Sequence, residues 1–183
     1  MKLPTALAVH TVAIFLSAAL LFSVQPLFAR MVLPSLGGAP AVWNSCLFFF
    51  QGVLLAGYLY VHITSRFLAP RRQLMLHGVV LCLPLLCLPI VLRQPLEGGN
   101  PVLRLLVILG VSLGGPVFAV CTTTPLLQKW FSAGRHPLAN DPYFLYAASN
   151  LGSMVALLSY PILLEPNLTL VQQSRMWACG YGA

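Results

Sequence analysis

The chain has 183 residues, of which 58% are hydrophobic and only 7% charged, and its mean hydropathy is +0.86. An average soluble protein carries about 25% charged residues, so a soluble core cannot absorb this much apolar surface. The net charge of +7 comes from ten Lys and Arg spread between apolar runs, where orientation signals belong, and this spread excludes a nucleic-acid-binding patch. The apolar runs are long and continuous rather than alternating in segments of about ten, which sets aside a β-barrel. The composition therefore predicts an all-α membrane protein, a polytopic helical bundle with the lipid bilayer as its solvent.

Taken in order, the first apolar run lies between Lys2 and Arg30 without a charge. It is far longer than the roughly 7–15-residue apolar core of a signal peptide, so it reads as a retained first helix over about residues 5–29, with Pro26 a candidate kink beside Gln25. The breaker-rich turn Pro34-Ser-Leu-Gly-Gly-Ala-Pro40 leads to a second helix over 41–63. A short basic loop, Arg66 to Arg72, precedes a third over 73–92, whose Pro84 and Pro89 are tolerable where neighbours satisfy the freed carbonyls. The fourth fills 105–128, with Gly114-Gly115-Pro116 predicting a bend or local break. The fifth runs over 141–164, with Asp141 placed to cap it and Pro142 at its first position. Residues 168–183 begin a sixth. The expectation is one transmembrane domain of five crossings plus a partial sixth, a piece of something longer.

A cytoplasmic N-terminus places Lys2, Arg66, Arg71, Arg72, Lys129 and Arg135 inside, and Arg30, Arg93, Arg104 and Arg175 outside. The Arg71-Arg72 cluster sharpens this positive-inside bias. The five cysteines lie in or beside apolar runs without a CxxC pair and read as small apolar side chains. His10, His62, His77 and His136 read as interfacial polar residues.

Two helices carry polar faces. Asn44, Gln51 and Tyr58 are spaced at sevens on the second, and Tyr143, Tyr146, Asn150, Ser153 and Tyr160 recur at helical spacing on the fifth. Thr122, Thr123 and Thr124 add hydroxyls on the fourth. Two readings compete: a polar cavity near the midplane, lined by Asn44, Gln51, Tyr58, Thr123, Tyr146, Asn150 and Ser153, or hydrogen bonding across helix interfaces. No charge lies in the middle of any predicted helix, which favours packing and weakens a proton-driven pump. Ala148, Gly152 and Ala156, and likewise Gly52 and Ala56, or Gly110 and Gly114, are spaced for close helix contact. Asn167-Leu168-Thr169 matches a glycosylation sequon, in a chain where chance explains it better. The residues supply no catalytic set, metal-ligand spacing or phosphate loop, so neither an enzyme nor a cofactor is assigned.

The text FLSAALLFSVQPLFARMVLPSLGGAPAVWNSCLFFFQGVLLAGYLYVH, from Phe15 to His62, resembles the opening of the bacterial fused major-facilitator/spermidine-synthase membrane proteins. Its elements are a Gln-Pro near the end of the first helix, an Arg, P-x-x-G-G, a Trp opening the second helix, and G-x-x-x-x-G-Y. The resemblance continues through Pro70-Arg71-Arg72-Gln73, Thr124-Pro125-Leu126-Leu127-Gln128-Lys129-Trp130-Phe131 and DPYFLYAASNLGSMVALLSYPILLEP. It implies half of a major-facilitator-like bundle in the bacterial inner membrane, a membrane module commonly followed by a soluble aminopropyltransferase-like domain. This chain has three acidic residues, Glu97, Asp141 and Glu165, and no G-x-G-x-x-G, so that catalytic half is absent. Three functions are expected in competition: a non-catalytic module anchoring, or forming a membrane pathway for, a separate synthase-like domain; half of a small-solute, polyamine-like transporter completed by further transmembrane helices; or a structural subunit of a larger membrane complex.

Overall fold

The computed structural model describes residues 3–36, 38–92, 100–134 and 137–183. Lys2, Arg93, Glu97, Gly98, Gly99, Arg135 and His136 lie outside the described residues. The described chain is helical, with no strand among the described residues. Helix α1 spans Leu3–Leu36 and α2 Pro40–Phe67. Helix α3 spans Pro70–Cys82 and tightens into a 3-10 stretch at Leu83–Cys87. Helix α4 is the continuous run Pro101–Ser132, α5 is Tyr143–Asn167, and α6 is Leu170–Gly182.

Four helices are long and apolar enough to cross a membrane: Leu7–Pro34 of α1, α2, α4 and α5. The third expected crossing, 73–92, is shorter than predicted: α-geometry ends at Cys82, and residues 88–92 are not helical. Pro84 and Pro89 explain this, because each removes an N–H that an α-helix would need. The first helix, by contrast, does not stop at Ala29. It runs through Pro26 and Pro34 to Leu36, which moves Arg30 from the expected loop onto the helix.

The predicted break at Gly114-Gly115-Pro116 is instead a π-turn over Gly110–Gly114, after which the helix resumes. Pro116 cannot donate to the carbonyl four residues back, and a wider turn carries the chain past that gap. The same device recurs in α5, where Tyr160–Leu164 form a π-turn around Pro161 and the Glu165 N–H returns to the Tyr160 carbonyl. At the start of α5, Asp141 is not the cap. The helix begins at Tyr143, and Pro142 stands at the cap position without a side-chain bond. Helix α6 has the fuller cap: Thr169 and Gln172 form a reciprocal capping box, which satisfies two N–H groups at once. Asn167 of the sequon bonds back to the Leu163 carbonyl.

Helix α1 is the axis of the bundle, packing along α5 for most of its length and also against α4 and α6. Its closest approach is to α5, where the missing side chain of Gly152 leaves room only for the Phe15 carbonyl. Ala148 and Ala156, one turn to either side, are buried in the same seam. Trp177 of α6 donates its indole N–H to the Leu20 carbonyl at 2.9 Å. A second close contact joins α2 and α4, where a methyl group on Gly57 would stand 2.6 Å from the Cys121 sulfur. The main core gathers Val24 and Phe28 of α1, Phe50 of α2, and Leu109, Leu113 and Val117 of α4. A smaller one, Ile14, Phe131 and Leu145, closes the end where α1 begins.

Burial is uneven. In α4, 61% of the apolar stretch is buried, against 22% in α2 and 17% in α5. Phe48, Leu55, Met75 and Leu86 are among the large apolar side chains on the outside. Water would disfavour such a surface, whereas lipid tails match it. Of the small-residue pairs, Gly52 and Ala56 are exposed, and a methyl group on Gly52, Gly110 or Gly114 would meet nothing within 4 Å. The cysteines divide as well: Cys46 and Cys121 are buried, Cys82, Cys87 and Cys179 exposed.

These glycines give a paired stability prediction. Gly152→Ala drives a methyl group into backbone that cannot rotate away, and should cost roughly 1–3 kcal/mol. Gly52→Ala meets open space and should be neutral or slightly stabilising, since Ala favours helix over Gly by up to about 1 kcal/mol. Thermal unfolding of both variants in detergent checks the contrast; equal shifts would show that the α1–α5 seam is not tight.

Candidate functional site

At the end where α1 finishes, α1, α2 and α5 enclose an open groove of about 510 Å³. Helix α1 forms its back with Gln25, Pro26, Ala29 and Arg30. Helix α2 supplies Trp43, Cys46, Leu47 and Phe50, and α5 supplies Leu157, Tyr160, Pro161 and Glu165. At about 1.5 Å of rise per residue, Gln25, Phe50 and Leu157 lie roughly 15 Å below the helix ends. The groove therefore descends from the far surface toward the middle of the bundle, polar at the rim, apolar along its walls, with an amide at its floor.

The rim holds an ion pair. Arg30 Nε stands 3.7 Å from Glu165 Oε1, with the two side chains 37% and 47% exposed, and Arg30 donates to the Glu165 backbone carbonyl at 3.0 Å. Tyr160 is buried beneath them and donates its hydroxyl to Gln173 Oε1 at 2.9 Å. Gln173 in turn donates to the Leu164 and Leu168 carbonyls where α5 gives way to α6, the first of them shared with the Leu168 N–H. The π-turn thus sets Tyr160, Pro161 and Glu165 along the groove, while a hydrogen-bonded amide fixes it from behind. Gln25-Pro26, Arg30, Trp43 and the Tyr160–Glu165 segment, separate motifs along the sequence, converge on this one surface.

A second polar group lies at the opposite end, between α2, α3 and α4. Gln73 is 3% exposed; its amide donates to Thr64 Oγ1 at 3.2 Å and Ser65 Oγ at 2.9 Å, and accepts from the Trp130 indole at 2.7 Å. One side chain thereby ties three helices together. Next to it, Thr123 donates to the Ala119 carbonyl at 2.8 Å, so the 3.3 Å contact between its oxygen and His77 Nε2 has the imidazole as donor. His77 Nδ1 and the Tyr60 hydroxyl are buried with no partner among the described residues. His77 is therefore interior, not interfacial as its sequence position beside a basic loop implies. His10 meets Phe131 edge-on at 5.5 Å, and His62 is exposed.

The expected cavity residues occupy other places. Asn44, Gln51, Tyr58, Tyr146 and Asn150 are exposed on the outer sides of α2 and α5, and none lines the groove. Ser153 is half-buried and bonds to the Asn150 carbonyl of its own helix. Thr123 lines a separate groove of about 440 Å³ between α1, α4 and the end of α6. The two polar faces are not brought against each other. Tyr58, Tyr146 and Asn150 lie nearer the opposite end of the bundle from the groove.

Gln73 supplies the test of the second group. Gln73→Leu removes the acceptor of the Trp130 indole, at about 1–3 kcal/mol, and should lower the unfolding temperature and shift Trp130 emission; an unchanged unfolding temperature would show that the three-helix tie is dispensable. Comparison of the chain with protein-family models, curated proteins and solved structures finds no match.

Proposed function

We propose that this chain is a non-catalytic membrane module of the kind found in the fused major-facilitator/spermidine-synthase proteins, half of a major-facilitator-like bundle in the bacterial inner membrane. The carrying observation is the shallow burial of α2 and α5 together with the polar groups on their outer sides. Asn44, Gln51, Tyr58, Tyr146 and Asn150 are exposed, and lipid offers such groups no hydrogen bonds. Further transmembrane helices on this side would satisfy them and close the groove into a chamber. The family reading is supported by the ordered sequence motifs from Phe15 to Pro166 and by the convergence of several of them on the groove. In this reading α3 with its 3-10 extension and α6 are the third and sixth members of the bundle, and a synthase-like domain is its functional partner.

A second reading, half of a small-solute transporter, is favoured by the groove itself, a concavity of ligand size at a helix junction. It requires that Asn150→Leu abolish uptake of the carried solute once the exposed side of α5 closes on a second bundle.

Photo-crosslinking in native membranes tests the shared premise. A benzophenone residue at Gln51 or Tyr146 should capture protein, and one at Leu86, on the outer side of the α3 extension, should capture lipid. Lipid adducts alone at Gln51 and Tyr146 would overturn the incomplete-bundle reading. Orientation has its own check. Arg71→Cys should react with a membrane-impermeant maleimide only after the cells are opened; labelling of intact cells would place the α2–α3 turn, and with it the N-terminus, outside.

A further inference from the structure

We infer that the groove between α1, α2 and α5 binds an amphiphilic zwitterion, with its ammonium on the Glu165 carboxylate, its anionic group on the Arg30 guanidinium and its apolar body along Phe50 and Leu157. The inference rests on the groove alone and stands or falls separately from the family reading.

The ion pair at the rim is incomplete. Its 3.7 Å separation exceeds hydrogen-bond reach, and among the described residues no donor bonds the Glu165 carboxylate. Arg30 directs one N–H to a backbone carbonyl and keeps donors to spare, since a guanidinium carries five. A half-exposed carboxylate and guanidinium side by side select against a ligand of one sign, because either charge would meet its like a few ångströms away. A ligand carrying both charges satisfies both partners. Trp43, 47% exposed on the rim, adds a ring face favourable to an ammonium. Below the rim the walls are hydrocarbon, so a polar zwitterion without an apolar body would leave them wet. From the Arg30–Glu165 rim down to Gln25 and Leu157 the descent is roughly 8–12 Å at about 1.5 Å of rise per residue, which suits an acyl chain segment or a large apolar side chain.

Two sources share this chemistry: a membrane lipid with an ethanolamine-phosphate headgroup, and a free apolar amino acid. The chain reconstituted in phosphatidylcholine nanodiscs separates them. Brominated phosphatidylethanolamine at low mole fraction should quench the Trp43-dependent emission, defined against Trp43→Phe, about threefold more than brominated phosphatidylglycerol, the preference a partly exposed charge pair supports. Displacement of that quenching by free leucine assigns the soluble source, and indifference to leucine assigns the lipid. Glu165→Gln should erase the preference between the lipids. Ala29→Phe, which fills the back of the groove without touching either charge, should abolish lipid quenching beyond the bulk level. Equal quenching by both lipids, unchanged in Glu165→Gln, would overturn the proposal, as would an Ala29→Phe variant that folds and still prefers phosphatidylethanolamine.

Discussion

The contact on which the bundle depends is the seam between α1 and α5, where Gly152 lies directly on the Phe15 carbonyl. In lipid, no hydrophobic force draws one apolar helix to another; packing and polar contact must do so. A glycine flanked by Ala148 and Ala156 lets the two backbones meet closely enough for dispersion to act along many turns. That seam fixes the position of α5 on α1, and with it everything the far end of α5 presents. Arg30 and Glu165 meet because the helices that carry them are already locked two turns or more below.

Proline shapes the rest. Pro116 and Pro161 each interrupt the regular hydrogen-bond ladder, and in both places the chain answers with a π-turn rather than a break. In α4 the result is a helix that stays continuous through the most buried part of the molecule. In α5 the widened turn carries Tyr160 and Pro161 into the lining of the groove and sets Glu165 just beyond it. Polar side chains then secure the ends. Gln73 binds α2, α3 and α4 at one end, and Gln173 holds Tyr160 and the α5–α6 corner at the other. Each end rests on one buried amide, Gln73 joining three helices and Gln173 joining α6 to α5.

Class and helix order were legible in the sequence because both follow from composition and run length, which bilayer thickness constrains strongly. The Ala148–Gly152–Ala156 spacing also marked its seam, since small residues at intervals of four have few other uses in a membrane helix. The groove was not legible, and the reason is local. Ending α1 at Ala29 placed Arg30 in a loop, where it had no reason to meet Glu165; extending the same helix to Leu36 brings the pair together. Asn44, Gln51 and Tyr58 do share the exposed side of α2, whereas on α5 Tyr160 is buried and Ser153 half-buried, apart from the exposed Tyr143, Tyr146 and Asn150; periodicity shows only that residues fall near one side of one helix. It does not show which helix lies opposite. Gln73 and His77 were hidden for a related reason, because a basic loop beside them reads as the membrane surface while the α3–α4 contact buries them.

The seam between α1 and α5 also orders events in time. Phe15 lies 137 residues ahead of Gly152 in the chain and enters the membrane before it, so α1 must wait in the bilayer while the intervening helices are made. At about 5–20 residues per second the wait is roughly 7–27 seconds. During it, the strip of α1 that will receive Gly152 faces lipid, and Arg30 has no carboxylate to meet. Helix α1 is apolar enough to stand alone through that interval, whereas α5, with its tyrosines, asparagine and π-turn, arrives to a surface already prepared. The least self-sufficient long helix is thus the one synthesised when its partner is already in place.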